Sequence, residues 1–318
     1  MAIGIFKESA MQYIVPDYYA QFRCIADRCK HSCCVGWEID IDPETLEKYR
    51  ILPCDVGEAL RQSIEETEDG AHFRLTADER CPMLMANGLC RLICALGEES
   101  LCQICADHPR FRNFFPGRTE TGLGLCCEAA AELILRQTEK VQLICLEQTD
   151  ETAPDDETTA FLAFRDQLIT TAQNRSLPLK ERMEQLLQAV SFSMPGCDFL
   201  PLYRSLEQLD PAWDKLLSSL PSLAFASLPA CPAPLETAME QFLVYLLFRH
   251  GAAAFEDEDI AGHTAFCVLS ACVLLALCQA KPGCTMEDFL NFARMYSSEI
   301  EYSQENMDAL LDALWEEA

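Results

Sequence analysis

Apolar residues recur at helical spacing through the second half of the chain. Met183, Leu186, Leu187 and Val190 follow the three-and-four spacing of a single buried helix face. From Leu235 onward the same pattern returns, first at Met239, Phe242, Leu243, Leu246 and Leu247, and finally at Met307, Leu310, Leu311 and Leu314. These stripes predict a bundle of helices in the C-terminal half.

The most apolar stretch is HTAFCVLSACVLLALCQA at 263–280. It stands alone, is at the short limit for a bilayer and is diluted with polar and small residues, so we expect a buried central helix rather than a membrane span. Thr285, with Asp288 three residues on, predicts the start of the next helix. Seven of the 16 prolines fall within 195–235, which predicts short turns of helix joined by loops.

The first half has a different composition. Twelve of the 19 cysteines lie between Cys24 and Cys127, together with most of the loop-like punctuation. We therefore predict a cysteine-rich metal-binding or iron–sulfur-binding domain at 11–147, an acidic linker at 148–159 and a helical domain at 160–318. The expected fold class is mainly α, with little strand in the cysteine-rich region, which packs on the C-terminal bundle.

The formal net charge of -27 bears on partners. Phosphate backbones are bound mainly through Lys and Arg, so we expect no nucleic acid partner. The same field would attract a lysine-bearing protein surface, or it serves solubility alone. The first 22 residues lack a basic segment followed by an apolar one, so a cytoplasmic location is expected, without membrane attachment. In that compartment, clustered cysteines indicate metal or redox chemistry more often than disulfides.

The first cysteine motif has the spacing C-x4-C-x3-C-C, which places four thiols within eleven residues. Thiolates held this closely repel one another unless a cation or cluster binds them. The second motif contains a C-x2-C step, whose spacing lets both sulfurs converge on one metal. The predicted ligands from the two motifs and the segment after them are Cys24, Cys29, Cys33, Cys34, Cys81, Cys90, Cys102, Cys105 and Cys126.

Soft thiolate ligands select zinc, copper(I) or iron–sulfur clusters, of which zinc and iron–sulfur remain here. Nine cysteines exceed one tetrahedral zinc, so either two metal sites form or one four-thiolate cluster lies beside other thiols. Cys94 and Cys127 are spare ligands, and His31 and His108 are either ligands or donors to them. The other cysteines are expected to be small buried hydrophobes, namely Cys54, Cys145, Cys197, Cys231, Cys267, Cys272, Cys278 and Cys284.

These motifs resemble the flagellin lysine-N-methylase family. The similar N-terminal segments are Val15-Pro16-Asp17-Tyr18-Tyr19, Phe22-Arg23-Cys24, Cys29, Cys33-Cys34-Val35-Gly36-Trp37, Ile41-Asp42, Cys81-Pro82, Gly88-Leu89-Cys90, Leu96-Gly97-Glu98, Leu101-Cys102, Cys105, Pro109-Arg110, Leu125-Cys126 and Glu128-Ala129-Ala130. Weaker similarity continues at 243–249 and 296–306. At two positions, His108 and Cys127, the family pattern usually has Tyr and Pro.

The resemblance implies methyl transfer from S-adenosylmethionine to lysine side chains of a protein such as flagellin, with a four-iron (4Fe-4S) cluster in the cysteine-rich part. Such a transfer requires a neutral amine, although free lysine has a pKa near 10.4. By residue type and position in the motifs, the candidates for accepting the proton are Glu38, Asp40, Asp42, Tyr296 and Glu299.

The S-adenosylmethionine site has no sequence signature. There is no G-x-G-x-x-G, and Gly122-Leu123-Gly124 is expected to lack a preceding strand. No C-x3-C-x2-C run of the radical enzymes occurs. Two alternatives remain: a zinc- or iron-chelating module without transferase activity, and a thiol–disulfide oxidoreductase that uses Cys102 and Cys105.

Overall fold

A computed structural model describes residues 12–68, 70–148, 154–228 and 230–316. Over these residues the chain forms fourteen α-helices and seven β-strands, which confirms the mainly-α fold class. All seven strands precede residue 149, so the N-terminal half holds more strand than expected.

The α-helices, in chain order, are α1 Pro43–Ile51, α2 Asp55–Ser63, α3 Arg91–Leu96, α4 Gln103–Asp107, α5 Glu128–Leu135, α6 Asp156–Ala172, α7 Leu179–Ala189, α8 Leu200–Ser205, α9 Pro211–Ser218, α10 Glu236–Arg249, α11 Gly251–Glu256, α12 Ile260–Ala280, α13 Met286–Tyr296 and α14 Gln304–Glu316. A π-helix, Ser297–Glu301, connects α13 to α14. The strands are β1 Gln12–Pro16, β2 Asp40–Ile41, β3 Ile64–Glu66, β4 Ala71–Phe73, β5 Arg110–Phe115, β6 Arg118–Leu123 and β7 Leu143–Gln148.

The chain divides into two compact units. The helical unit comprises residues 12–22, 111–126 and 130–316, and the cysteine unit comprises 23–110 and 127–129. The ranges predicted from the sequence, 11–147 and 160–318, differ from these units in one respect. Strands β1 and β5 to β7 belong with the helices, because β1 pairs with strands more than a hundred residues further along the chain.

The sheet of the helical unit has the strand order β5-β6-β1-β7. Strand β1 runs parallel to β6 and antiparallel to β7. Because β6 ends at Leu123, a strand does lead into Gly122-Leu123-Gly124, and that prediction was wrong. Gly122 is required here, since a Cβ atom at this position would overlap the Phe111 ring.

Helices α10 and α12 form the apolar centre of the helical unit, as the sequence predicted. Among the described residues, α12 is the one helix long and apolar enough to cross a bilayer. Its most apolar 18-residue stretch is nevertheless 83% buried inside the protein. The stripe that begins at Met183 lies in α7 up to Leu187, and Val190 follows the end of that helix. The stripe at 307–314 lies in α14, and Thr285 and Asp288 form the predicted capping box of α13. Residues 195–235 hold short helices, also as predicted.

The last residues of the predicted acidic linker form the start of helix α6. Asp155 accepts a hydrogen bond from the Thr158 amide and caps α6, and Thr158 is buried. An N-terminal aspartate is favourable because it satisfies a free amide and complements the helix dipole. Residues 149–153 of the predicted linker lie outside the described residues.

The cysteine unit contains a three-stranded sheet, β2-β4-β3, together with α1 to α4. Its core combines apolar residues such as Ile39, Leu60 and Phe73 with two buried thiols, those of Cys81 and Cys102. Asp42 connects two elements of the unit, because its carboxylate accepts from the Thr45 amide in α1 and from the Gln103 amide in α4.

Candidate metal centre

A short backbone pairing brings the two cysteine motifs together. Val35 and Arg80 form an isolated antiparallel bridge, and the Cys81 amide donates to the Cys34 carbonyl at 2.8 Å. A second bridge joins Leu84 to Cys90. The last cysteine of the first motif is therefore held beside the first cysteines of the second.

Five of the predicted ligands form an inner group, defined as Cys34, Cys81, Cys90, Cys102 and Cys105. Cys81 and Cys102 are buried in the core of the cysteine unit, and the other three pack against that core. The thiols lie close enough to act on one another electrostatically: the charge on Cys34 raises the pKa of Cys81, Cys90 and Cys105. This group fits a four-thiolate site with one thiol to spare.

Helix α4 positions the C-x2-C step. Cys102 is its N-cap residue, and Asp42 holds the next amide, that of Gln103, at 2.8 Å. The thiols of Cys102 and Cys105 share a hydrogen bond, which lowers the pKa of Cys102 and raises that of Cys105. The two sulfurs are thus directed at each other, as convergence on one metal requires.

The pKa values of the remaining inner thiols are shifted in different directions. Burial raises the pKa of Cys81 to about 12 and also raises that of Cys90. By contrast, a hydrogen bond from Cys33 lowers the pKa of Cys34 to about 7. Of these three, Cys34 is the thiol that reaches its metal-binding thiolate form most readily near neutral pH.

A second set, the outer group, consists of Cys24, Cys29, Cys33 and Cys127. The charges of Cys24 and Cys127 act on Cys33, and that of Cys127 acts on Cys29. Burial, reinforced by Glu128, raises the pKa of Cys29 to about 11. Cys127, predicted as a spare ligand, therefore lies near Cys29 and Cys33.

Backbone and side-chain contacts fix the outer group in place. The Glu128 carboxylate accepts from the Lys30 amide at 2.8 Å and lies 3.7 Å from the Cys29 sulfur. The Trp37 indole donates to the Cys33 carbonyl at 2.5 Å and packs against the His108 ring. His108 is a neighbour of this loop, and His31 is exposed on it.

The residues fit a soft metal in donor type and number. Over the described ranges, no three His, Cys, Asp or Glu side chains already stand close enough together to hold a metal ion. The sulfurs instead form hydrogen-bonded pairs, Cys33 with Cys34 and Cys102 with Cys105. Metal binding would replace the thiol protons and draw the side chains inward.

Cys126 belongs to the helical unit, unlike its neighbour Cys127. Burial raises its pKa, while a hydrogen bond with Tyr302 and the charge of Arg249 lower it. Among the scattered cysteines, Cys267, Cys272 and Cys278 are buried as expected. Cys54 and Cys145 are exposed, so the prediction was wrong for them. The remaining three are half-buried, namely Cys197, Cys231 and Cys284.

Each of the five candidate proton acceptors has a defined setting. Glu38 is exposed and lies 3.1 Å from His72, and Asp40 is exposed on β2. Asp42 caps α1 and α4, as described above. Tyr296 is buried with its hydroxyl 2.6 Å from that of Ser270, and Glu299 accepts from the Leu209 and Asp210 amides before α9.

A buried polar cluster around Glu301 was not predicted. Glu301 accepts hydrogen bonds from Tyr245 at 3.1 Å and from Arg249 at 2.9 Å, and it lies 3.1 Å from His250. Although burial acts in the opposite direction, Arg249 and His250 hold the pKa of its carboxyl below the usual value. Glu301 is the last residue of the π-helix, and π-helical segments often accompany functional sites. The signal available in the sequence was the weak family similarity at 243–249 and 296–306.

Comparisons with known proteins find relatives named lysine-N-methylase and a relative named as a flagellar biosynthetic protein. The lysine-N-methylases of Salmonella typhimurium and Salmonella choleraesuis are each 28% identical to this chain over 148 residues, which is 44% of this chain and 37% of theirs. The flagellar biosynthetic protein FliU of Salmonella muenchen is 27% identical over 134 residues, 40% of this chain and 79% of its own.

These matches confirm the resemblance to the lysine-N-methylase family. The matched part of the chain spans little more than a third of the two lysine-N-methylases. No protein-family model matches the chain, and no solved structure matches it.

Proposed function

We propose that this protein transfers methyl groups from S-adenosylmethionine to lysine side chains of a protein such as flagellin, and that its cysteine unit holds a 4Fe-4S cluster. The relatives' name supports the methyl transfer. The observation that carries the metal proposal is the gathering of Cys34, Cys81, Cys90, Cys102 and Cys105 around one core.

We assign the cluster to the inner group. Two of its cysteines, Cys81 and Cys102, are buried and the other three are half-buried, and burial and hydrogen bonding are the features by which proteins tune a thiolate-held cluster. The outer group supplies four further thiols and is proposed as a second soft-metal site, with zinc as the first alternative. The metal holds together a unit whose own apolar core is small.

Methyl transfer to lysine would depend on the chain in two ways, through a residue that accepts a proton and through a charge that attracts the acceptor protein. The amine must lose its proton before its nitrogen attacks the methyl carbon, after which S-adenosylhomocysteine and methyllysine are the products. A carboxylate would accept that proton, and Glu38, Asp40 and Glu299 remain candidates. Tyr296 would accept it only as a phenolate, a form that burial disfavours by raising its pKa. The net charge of -27 favours the approach of a lysine-bearing acceptor.

Metal analysis tests the proposed cluster. The full chain, purified without oxygen, is expected to contain iron and acid-labile sulfide and to absorb visible light. Cys102→Ser should abolish that absorption, Cys33→Ser should remove only the second metal, and exposed Cys54→Ser should change neither. Zinc without sulfide, or a spectrum indifferent to Cys102→Ser, would contradict the assignment.

A methylation assay tests the transferase activity separately. Labelled S-adenosylmethionine should transfer its methyl group to flagellin, and flagellin with chemically blocked lysines is the control. A metal-loaded protein that neither binds S-adenosylmethionine nor labels any lysine-rich acceptor would instead be a chelating module. The same two cysteine groups are compatible with that function.

A further inference from the structure

Strand β7 lies at an edge of the sheet in the helical unit. It pairs with β1 on one side, and among the strands that the structure describes none pairs with it on the other. Its residues from Ile144 to Gln148 are all exposed, and they include two large apolar side chains, Ile144 at 41% and Leu146 at 54%. An exposed edge strand with apolar side chains is a template on which a further strand can be added.

The pairing with β1 shows which backbone groups of β7 face the open side. The Asp17 amide donates to the Gln142 carbonyl at 2.9 Å, so Gln142 faces β1. In an antiparallel pair, residues that face the partner strand alternate with residues that face away from it. Pro16, which has no amide hydrogen, lies opposite Leu143, as this alternation requires. Leu143 and Cys145, which pair with β1 in regular register, therefore direct their amide and carbonyl groups at the open edge.

The two edges of this sheet differ in charge. Residues 141–159, which include β7, hold six carboxylates and no Lys or Arg. Glu147 is exposed on β7 itself, and the carboxylates at 155–157 are exposed at the start of α6. The other edge strand, β5, instead carries Arg110 and Arg112. Of the two edges, β7 is the one suited to a cationic strand.

We propose that β7 binds an extended, lysine-bearing segment of the acceptor protein by strand addition, an inference that rests on the proposed methyl transfer to lysine. The outward amide and carbonyl groups of Leu143 and Cys145 form backbone hydrogen bonds with the segment, and its apolar side chains pack beside Ile144 and Leu146. Its lysines lie near Glu147. A second copy of β7 fits less well, because like charges on neighbouring strands are destabilising.

Such a site acts on binding rather than on chemistry. It holds the acceptor protein while another part of that protein presents a lysine to the methyl donor. An interaction that is equally strong before and during the reaction lowers KM without changing kcat. Loss of strand addition should therefore raise KM for the acceptor protein and leave kcat unchanged.

A matched pair of substitutions at one position tests the proposal. Cys145→Pro removes the outward amide hydrogen and leaves the pairing with β1 intact, because that amide faces away from β1. Cys145→Ala keeps the amide and is the control. The probe is a fluorescent peptide of alternating valine and lysine, added to the full metal-loaded chain under reducing conditions and followed by anisotropy. Wild type and Cys145→Ala should bind it alike, whereas Cys145→Pro should bind it about tenfold more weakly.

A modified peptide makes the same test without changing the protein. Methylation of alternate backbone nitrogens keeps the charge of the peptide and removes the hydrogens that it would donate to β7. This peptide should bind the wild-type chain about tenfold more weakly than the unmodified one. Circular dichroism shows whether Cys145→Pro is folded, and the modified peptide decides the matter if it is not.

Three results would overturn the inference. One is equal binding of both peptides by the wild-type chain, which would show attraction by charge alone. Another is unweakened binding by folded Cys145→Pro. The third is a wild-type dimer that Cys145→Pro converts to a monomer, because the edge would then serve a second copy of the chain.

The proposed function is tested apart from the docking site. A chain that methylates flagellin without binding the peptide would lack the docking site and still be a transferase. A chain that binds the peptide in the expected way but transfers no methyl group would keep the docking site and lose the proposed function.

Discussion

The two compact units are stabilised in different ways. The helical unit buries large apolar side chains from α10 and α12, and its buried charges are paired, for example Arg165 with Glu120 at 2.6 Å. The cysteine unit has a smaller core, and two of its buried members are thiols, those of Cys81 and Cys102. The fraction of surface that a domain buries falls with its size, and a structural thiolate-bound metal contributes folding energy directly. The difference predicts that the units respond to different perturbations.

Metal removal should give the largest effect and should act on the cysteine unit alone. Structural thiolate sites bind zinc with about 10–16 kcal/mol, and this energy is available only to the folded unit. A chelator under reducing conditions should therefore make residues 23–110 sensitive to protease, while the helical unit stays resistant. Limited proteolysis with mass spectrometry measures both units at once. If the cysteine unit stayed as resistant to protease as the helical unit after verified metal loss, the two units would not differ in their dependence on metal.

A buried ion pair should matter only in the helical unit. Glu240 on α10 bonds Arg182 at 2.8 Å and Arg175 at 2.9 Å, and its own side chain is 1% exposed. Glu240→Ala leaves Arg182 buried without its central partner, so we expect a loss of about 3–5 kcal/mol in the free energy of unfolding.

Denaturant unfolding of the metal-loaded protein measures this loss. Glu184→Ala, on the exposed face of α7, is the control and should change stability by less than about 0.5 kcal/mol. Metal content should stay constant in both variants. If Glu240→Ala also released metal, the two units would not be independent.

Asp42 should be the most sensitive carboxylate of the cysteine unit. Asp42→Ala removes the acceptor for the Thr45 and Gln103 amides, which at helix starts costs about 1–2 kcal/mol. The variant should bind metal more weakly, because α4 carries Cys105 and begins at Cys102. Metal competition titration gives the change, and exposed Asp40→Ala should behave as wild type. An unchanged metal affinity in Asp42→Ala would show that capping by Asp42 does not influence metal binding.

The smallest effect is expected at the capping box of α13. Thr285→Ala removes the hydroxyl that accepts from the Asp288 amide, at a cost of about 1 kcal/mol to the helical unit. Thr285→Ser keeps the hydroxyl and should retain most of that stability. Thermal unfolding of the metal-loaded protein compares the three, and equal midpoints would show that the cap contributes nothing measurable.

Helices could be predicted because their signal is local. The stripe at 183–190 and the capping box at Thr285 are complete within a few residues, and both were found in the structure. Strands β6 and β7 were missed because their stability comes from pairing with β1, a contact that spans more than a hundred residues. Their sequences, RTETGL and LICLEQ, have no clear alternation.

The cysteine-rich region is evident from the sequence, but its division into an inner and an outer group of thiols is not. Spacing predicted that thiols of this region lie near one another, yet neighbouring cysteines have different surroundings. Cys33 belongs to the outer group and Cys34 to the inner one, and Cys126 and Cys127 belong to different units. The direction of a side chain depends on backbone conformation and tertiary pairing, which spacing does not encode.

The π-helix has a consequence for how the chain tolerates changes in length. Within Ser297–Glu301, Glu299 turns towards the start of α9 while Glu301 turns towards Arg249. One residue more or less in this segment would rotate all that follows by about 100°. The apolar face of α14, including Leu310 and Leu314, would then turn away from its packing partners. We expect substitutions in this segment to be accepted far more readily than insertions or deletions.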